Sequence, residues 1–81
     1  MVECSDGSLY TGWTFDIEKR IQKHNDGKGA KYTRSRLPVK LVYYEIKNNK
    51  SDAMKREAYI KSLKHTDKRK LITDFENNNQ E

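Results

Sequence analysis

Two short stretches in which side chains of different character alternate flank Asp6-Gly7 near the start of the chain, and this pattern predicts a β-hairpin. Asp-Gly supplies the positive φ that a tight hairpin turn requires, so strands are predicted in residues 1–5 and 8–13. Alternation places Tyr10 and Gly12 on the same face of the second strand. Because Gly12 leaves room beside the tyrosine ring, this face is predicted to form a groove.

Helical spacing then replaces alternation. Ile17, Ile21 and His24 follow positions i, i+4 and i+7, so an amphipathic helix is predicted over residues 16–25. The next segment, residues 27–38, is rich in glycine, lysine and arginine and ends at the only proline of the chain. It is predicted to be a loop.

The second half of the chain predicts one strand and two helices. Residues 39–46 carry apolar side chains at both odd and even positions, which predicts a strand covered on both faces and therefore central in its sheet. Ser51 is predicted to cap a helix that runs to about residue 64, and Thr66 and Asp67 lie in the first turn of a last helix. The order β-β-α-β-α-α predicts an α+β fold with a small three-stranded, mainly antiparallel sheet flanked by helices.

The length of 81 residues predicts one domain, because a chain this short cannot supply two independent cores. We assign that domain to residues 1–76 and expect a flexible polar tail at residues 77–81. Hydrophobic residues make up 33% of the chain and charged residues 36%, so little apolar surface is available to offset the entropy of folding. We therefore expect marginal stability.

Charge and cysteine content narrow the classes of function. Lys and Arg outnumber Asp and Glu by 17 to 12, and the resulting net charge of +5 favours polyanionic partners such as nucleic acid; the alternative is a basic but inert surface. Cys4 is the only cysteine, which excludes an intrachain disulfide and a thiolate zinc cluster. No apolar run reaches the ~20 residues that span a bilayer, so we expect a cytoplasmic monomer without membrane contact.

The loop and the first predicted helix carry the basic candidates for a site. Arg20 and His24 lie one helical turn apart at the rim of the apolar stripe, where each is either a phosphate contact or an ordinary boundary side chain. The loop interleaves five cations with Gly27, Gly29 and Tyr32, and it contains no acidic residue. These cations are Lys28, Lys31, Arg34, Arg36 and Lys40. Glycines permit close backbone approach and tyrosine permits base stacking, so a nucleic-acid surface is favoured over a merely solvated face.

Glu57 is the acidic candidate, because the helical wheel places it between Ile60 and Met54 on an apolar stripe that also carries Ala53. A carboxylate in that position must be paired, neutralised or bound to a cation. Two partners remain open: a lysine or arginine, such as Arg20 or Arg56, and a divalent metal such as Mg²⁺.

Taken in order, these segments resemble the small bacterial single-domain proteins of the GIY-YIG endonuclease superfamily, the UPF0213 group. The similarity covers roughly residues 3–72. The matching segments are Asp6-Gly7-Ser8-Leu9-Tyr10-Thr11-Gly12, the helix with Arg20 and His24, Gly27-Lys28-Gly29-Ala30-Lys31-Tyr32-Thr33, Arg36-Leu37-Pro38-Val39, Leu41-Val42-Tyr43 and Lys55-Arg56-Glu57-Ala58.

The resemblance implies a metal-dependent endonuclease that hydrolyses phosphodiester bonds in DNA, with branched or damaged structures as substrates. Tyr10 would be the general base on a water, and Glu57 would hold one Mg²⁺ or Mn²⁺ on the scissile phosphate. Arg20 would stabilise the developing charge, while His24 and Tyr32 would assist by hydrogen bonding. Gly12 completes the second family motif and has a structural role.

The first family motif, Gly-Ile-Tyr, would precede Met1, so residues 1–4 match only the tail of that strand and we expect the strand to be truncated. The alternative function on the same fold is a nucleic-acid-binding or adaptor module without catalysis. A third is a protein-interaction domain whose charge only aids solubility.

Overall fold

The computed structural model describes residues 1–78, which divide into two compact units, Met1–Val42 and the chain from Tyr43 onward. The first unit contains strand β1 (Val2–Glu3), strand β2 (Leu9–Tyr10), helix α1 (Ile17–Asn25), helix α2 (Lys31–Arg34) and strand β3 (Lys40–Leu41). The second contains helix α3 (Lys50–Ser62) and helix α4 (His65–Asn78). None of the helices within residues 1–78 is long and apolar enough to cross a membrane.

The sheet confirms the predicted hairpin and the predicted α+β class. Strand β1 is central and antiparallel to both neighbours, with Val2 opposite Tyr10 on one side and opposite Leu41 on the other. The turn between β1 and β2 has Gly7 at φ +83°, as the Asp6-Gly7 pair predicts. Hairpin pairing thereby fixes Tyr10 at the end of an edge strand.

The strand predicted over residues 39–46 is wrong in both length and position. Only Lys40–Leu41 is a strand, and it lies at the edge of the sheet, where both residues are exposed. The tyrosines that follow pack elsewhere: the rings of Tyr43 and Tyr44 each meet the ring of Phe75 edge to face, with centroids 5.3 Å apart. Tyr43 and Tyr44 therefore contact α4 within the second unit, and the predicted burial of this segment on two faces of a sheet is wrong.

Helix α1 begins and ends close to the predicted residues. The Asp16 side chain caps it by accepting a hydrogen bond from the Lys19 amide at 3.1 Å. At its other end Asn25 clamps the chain before β3, since its side chain donates to the Val39 carbonyl at 3.2 Å and accepts from the Val39 amide at 2.8 Å. Val39 is buried with Val2 and Cys4 in the core of this unit.

The loop predicted over residues 27–38 contains a one-turn helix, α2, which the high content of glycine and lysine did not predict. Its first turn is closed by Thr33, whose amide and hydroxyl both donate to the Ala30 carbonyl, at 3.1 Å and 2.9 Å. Side-chain hydrogen bonding to a nearby carbonyl is a local effect that composition does not reveal.

Helix α3 starts slightly earlier than predicted, because Asn49 and not Ser51 is its N-cap; the Asn49 side chain accepts from the Asp52 amide at 2.8 Å. Its predicted apolar stripe is only partly confirmed, since Ile60 is buried but Met54 is 48% exposed. Helix α4 continues through Asn78, so the first two residues of the predicted tail are helical; residues 79–81 lie outside the described part of the chain.

Candidate active site

Three aromatic rings of the first unit meet on one side of the hairpin. The Tyr10 ring is edge-on to the His24 ring, with centroids 5.6 Å apart and planes at 71°. It is stacked with the Tyr32 ring at 6.1 Å and 18°. A Cβ added at Gly12 would lie 3.4 Å from the Tyr10 ring, an ordinary contact distance that supports the predicted proximity of the glycine. Strand β2, helix α1 and helix α2 thus each contribute one ring to a single cluster.

Arg36 holds the outer side of this cluster. Its guanidinium carbon lies 4.0 Å from the centroid of the Tyr32 ring, within the range of a cation–π contact. Its Nη1 donates to the Tyr32 carbonyl at 2.7 Å, and its Nε donates to Asp6 Oδ2 at 3.1 Å. Arg36, predicted to contact nucleic acid, therefore also orients Tyr32 within the unit.

His24 is the most enclosed of the three ring side chains, with 2% of its surface exposed. Its Nδ1 is 2.8 Å from Thr33 Oγ1, and Thr33 is fully buried. A Cβ at Gly29 would lie 2.4 Å from that same Nδ1, so only a glycine allows the backbone to approach the imidazole this closely. Thr33 and Gly29 are parts of the site that sequence reasoning did not assign, although Gly29 carried a signal as a glycine suited to close approach.

The pKa of His24 is lowered from its ordinary value of 6.5, first by burial and then by repulsion from the positive charge of Arg20. Arg20 lies one turn before His24 on α1 and is half-buried, as the helical wheel predicts. A histidine with a lowered pKa is neutral at pH 7, so His24 has one nitrogen free to accept a proton.

The remaining predicted cations lie on the surface of the first unit. Lys40 pairs with Glu3 at 3.5 Å, and Arg34 Nε donates to the Gly29 carbonyl at 3.3 Å. Lys28 and Lys31 are exposed and form no salt bridge within residues 1–78. These two lysines leave positive charge uncompensated in the segment that carries Tyr32, which is 41% exposed.

Glu57 lies on α3 in the second unit, half-buried, with its side chain 21% exposed. Its partner is Lys61 of the same helix, whose Nζ is 2.8 Å from Glu57 Oε1; Arg56, one of the partners left open by the sequence, binds Glu45 instead. Within residues 1–78 no three His, Cys, Asp or Glu side chains converge as a ready metal cage. Glu57 supplies one carboxylate, an oxygen donor of the kind that Mg²⁺ binds, and the side chain of its lysine partner is half-exposed.

A second polar cluster, which the sequence did not predict, centres on Glu45. Its carboxylate accepts hydrogen bonds from the Tyr43 hydroxyl and from Arg56 Nε, at 2.9 Å for the shorter arginine contact, and pairs with Lys47 at 2.9 Å. Burial alone would raise the pKa of Glu45, but the hydrogen bonds from Tyr43, Lys47 and Arg56 outweigh it and lower the pKa from 4.5 to about 2.

Comparison with known proteins places this arrangement in a family. The family model described as the GIY-YIG catalytic domain matches residues 1–71. A UPF0213 protein of Staphylococcus saprophyticus is 58% identical over 74 residues, which cover 91% of this chain and 90% of that protein. A UPF0213 protein of Clostridium perfringens is 58% identical over 73 residues, covering 90% of this chain and 78% of that protein.

A solved structure agrees with these sequence matches. The solution NMR structure of a UPF0213 protein from Bacillus halodurans is 47% identical to this chain and superposes with a TM-score of 0.56, covering 89% of this chain and 77% of that one. The chain therefore belongs to the GIY-YIG family, within its UPF0213 group. Membership implies a nuclease-type function and a nucleic-acid substrate, while the names of the relatives specify no activity, substrate or metal.

Proposed function

We propose that this protein is a metal-dependent endonuclease that hydrolyses phosphodiester bonds in DNA, acting as a cytoplasmic monomer on branched or damaged structures. The observation that supports this most directly is the packing of Tyr10 against His24 and Tyr32. A phenol edge-on to a neutral, buried imidazole is a suitable arrangement for moving a proton away from an attacking water.

The roles follow from the contacts of each side chain. A tyrosine hydroxyl has a reference pKa of about 10, so at neutral pH it acts as a base only when a neighbour takes its proton or a cation stabilises the phenolate. His24 is neutral and is the neighbour that accepts, while Arg20 supplies positive charge from the same helix. Tyr32, held by Arg36, fixes the other face of the Tyr10 ring. Glu57 would hold the divalent cation, which supplies Lewis-acid polarisation of the scissile phosphate.

Contact with the nucleic acid is assigned to the exposed part of the basic run. Lys28 and Lys31 have no acidic partner within the described residues, and the half-exposed Tyr32 ring offers a face for base stacking. Arg34 extends this surface. Arg36 and Lys40 contribute less charge to it, because Arg36 pairs with Asp6 and Lys40 pairs with Glu3. The same surface would serve the alternative function, a binding module without catalysis.

Cleavage of a panel of linear, nicked and branched DNA in Mg²⁺, Mn²⁺ or chelator tests the proposal. The decisive variant is Tyr10→Phe, which keeps the ring contacts and removes only the hydroxyl. We expect wild-type cleavage that requires the metal and a loss of about a hundredfold or more in Tyr10→Phe, the usual scale of general acid–base catalysis. Tyr44→Phe, an exposed tyrosine of the second unit, is the matched control and should cleave like the wild type.

Binding measured in chelator separates the two functions. Contact with roughly three to five phosphates predicts a slope of about −3 to −4.5 for the logarithm of affinity against the logarithm of salt concentration on duplex DNA. Replacing Lys28 and Lys31 together by Gln should reduce the slope by about 2. Binding with this slope but no cleavage would favour the binding module without catalysis. Undiminished cleavage by Tyr10→Phe would contradict the role of Tyr10 as general base. A slope near zero would contradict both functions.

A further inference from the structure

The hydrogen bond between His24 and Thr33 has a direction that a third group determines. Thr33 Oγ1 lies 2.8 Å from His24 Nδ1 and 2.9 Å from the carbonyl oxygen of Ala30. Both side chains are screened from solvent, since His24 is 2% exposed and Thr33 is fully buried. Bulk water therefore does not compete for these bonds, and their direction follows from counting protons.

A threonine hydroxyl has one proton to donate and lone pairs that accept. If that proton pointed to His24 Nδ1, the Thr33 hydroxyl and the Ala30 carbonyl would face each other at 2.9 Å as two acceptors. If it points to the Ala30 carbonyl, the hydroxyl accepts a hydrogen bond from His24 Nδ1–H, and each of the two contacts has one donor and one acceptor. The Ala30 carbonyl accepts from the Thr33 amide at 3.1 Å in both arrangements, so what favours the second is that it avoids the repulsion between the two oxygens.

We infer that Thr33 is a positioning residue that holds neutral His24 in its Nδ1–H tautomer and leaves Nε2 as the proton acceptor of the site. A neutral imidazole has one protonated and one unprotonated nitrogen, so fixing the proton on Nδ1 fixes the lone pair on Nε2. The tautomer itself is independent of any activity. Its catalytic consequence rests on the proposed function: Nε2 would take the proton that the Tyr10 hydroxyl or the attacking water gives up, and the imidazolium would release it to solvent.

One further contact and the charge state of His24 support this role for Thr33. The Gly29 backbone packs against the Nδ1 edge so closely that a Cβ there would lie 2.4 Å from Nδ1, which closes the side of the ring that faces Thr33. The pKa of His24 is lowered by burial and by Arg20, so the neutral form is the resident one at pH 7. When His24 does gain a proton, Nδ1–H still donates to Thr33, and only Nε2 titrates.

Nitrogen NMR of the histidine side chains tests the inference directly. Long-range proton–nitrogen correlation on the ¹⁵N-labelled full chain distinguishes protonated from unprotonated ring nitrogens. The chain has only two histidines, and a His65→Gln variant assigns the signals of His24. We expect wild-type His24 above its pKa to show a protonated Nδ1 and an unprotonated Nε2; a protonated Nε2 would overturn the inference.

Three variants separate positioning from simple support of the fold. Thr33→Val removes the hydroxyl at constant shape and should lower the ratio of Nδ1–H to Nε2–H tautomer by about fivefold or more, the effect of one net hydrogen bond. Thr33→Ser keeps the hydroxyl and should restore the wild-type ratio. Thr73→Val is the matched control, because the Thr73 hydroxyl donates to the Arg69 carbonyl at 3.0 Å on the exposed side of α4.

An unchanged tautomer ratio in Thr33→Val would contradict the inference, and if that variant does not fold, the wild-type and Thr33→Ser spectra still decide it. The pH profile of cleavage adds a second measurement: Thr33→Val should shift its acidic limb, and Thr33→Ser should not. If the wild type cleaves no DNA while His24 shows the Nδ1–H tautomer, the proposed function fails and the assignment of Thr33 stands.

Discussion

The polar groups of the two units are held in different ways. In the first unit, Met1–Val42, His24 and Thr33 are buried and joined by a neutral hydrogen bond. In the second unit, Glu45 and Glu57 are half-buried carboxylates joined to lysine or arginine. Buried neutral bonds are sensitive to added atoms but insensitive to salt, whereas half-exposed ion pairs tolerate added atoms and respond to salt and pH. The polar groups of the first unit are therefore held rigidly, and those of the second unit respond to salt and pH.

Acid acts on the two units in different pH windows. The pKa of His24 is lowered from 6.5, so its neutral form stabilises the fold above about pH 6.5 and that contribution is lost as pH falls through the folded pKa. The pKa of Glu45 is lowered from 4.5 to about 2, so its contribution is complete above pH 4.5 and is lost only as pH falls toward 2. Substitutions in each unit test this difference.

The largest effect is expected from Gly29→Ala in the first unit. The new Cβ would lie 2.4 Å from His24 Nδ1 and 2.9 Å from the His24 Cα, so the backbone of α1 has to move. Overpacking of this kind costs about 1–3 kcal/mol of unfolding free energy, or a fall in Tm of about 4–8 °C for each kcal/mol in a domain of this size. Thermal unfolding measures the loss.

Gly12→Ala is the matched control for that loss, because its Cβ would meet the Tyr10 ring at 3.4 Å, an ordinary contact. We expect it to change the unfolding free energy by less than about 1 kcal/mol. Equal stability of the two alanine variants would show that the His24 contact yields easily, and the rigid character assigned to the first unit would be wrong.

A smaller effect, with a pH signature, is expected from Glu45→Gln in the second unit. The lowered pKa of Glu45 means that its ionised form stabilises the folded state. Solvent screens part of this stabilisation, because the side chains of Lys47 and Arg56 are one-third exposed. We therefore expect Glu45→Gln to lower the free energy of unfolding by about 1–2 kcal/mol at pH 7. Urea unfolding at a series of pH values should show the difference between wild type and variant shrinking between pH 4.5 and about 2. A difference that stays constant with pH would contradict the pKa assigned to Glu45.

The smallest effect on stability is expected from Glu57→Gln. Its ion pair with Lys61 joins positions i and i+4 of one helix, an arrangement that contributes about 0.3–0.5 kcal/mol. If Glu57 holds the metal of the proposed function, cleavage in Mg²⁺ should nevertheless fall at least about a hundredfold, since polarisation by a metal supplies several kcal/mol.

Lys61→Met removes the same ion pair without removing the carboxylate, so it should keep the cleavage rate that Glu57→Gln loses. Cleavage by Glu57→Gln at the wild-type rate would remove the metal assignment. A stability loss of several kcal/mol in Glu57→Gln alone would instead mark Glu57 as a structural carboxylate.

Local signals in the sequence were sufficient for the hairpin and for α1. Asp6-Gly7 specifies a turn through the conformational freedom of glycine, and Ile17, Ile21 and His24 define a helical face, so Tyr10, Arg20 and His24 were placed on the correct elements. Each of these signals lies within a few residues of the feature that it predicts.

Most of the missed features depend on contacts between different elements of the chain. The rings of Tyr43 and Tyr44 resemble strand residues until Phe75 is known to pack against them. Thr33 becomes part of the site only because α2 brings its hydroxyl to His24, nine residues earlier. Glu57 and its partner Lys61 share one helix. The sequence left Arg20 and Arg56 open as partners of Glu57, because charge alone does not determine which nearby cation pairs with a carboxylate.

Trp13 follows Tyr10 by three residues and meets Phe15 edge to face, with ring centroids 5.3 Å apart. It is the only tryptophan of the chain and belongs to the first unit, while the second unit has none. Selective excitation of indole emission therefore reports on the segment between β2 and α1, and circular dichroism in the far ultraviolet reports mainly on α3 and α4, the two longest helices. The native chain thus has a built-in optical label for the unit that contains Tyr10 and His24, with no dye or added tryptophan.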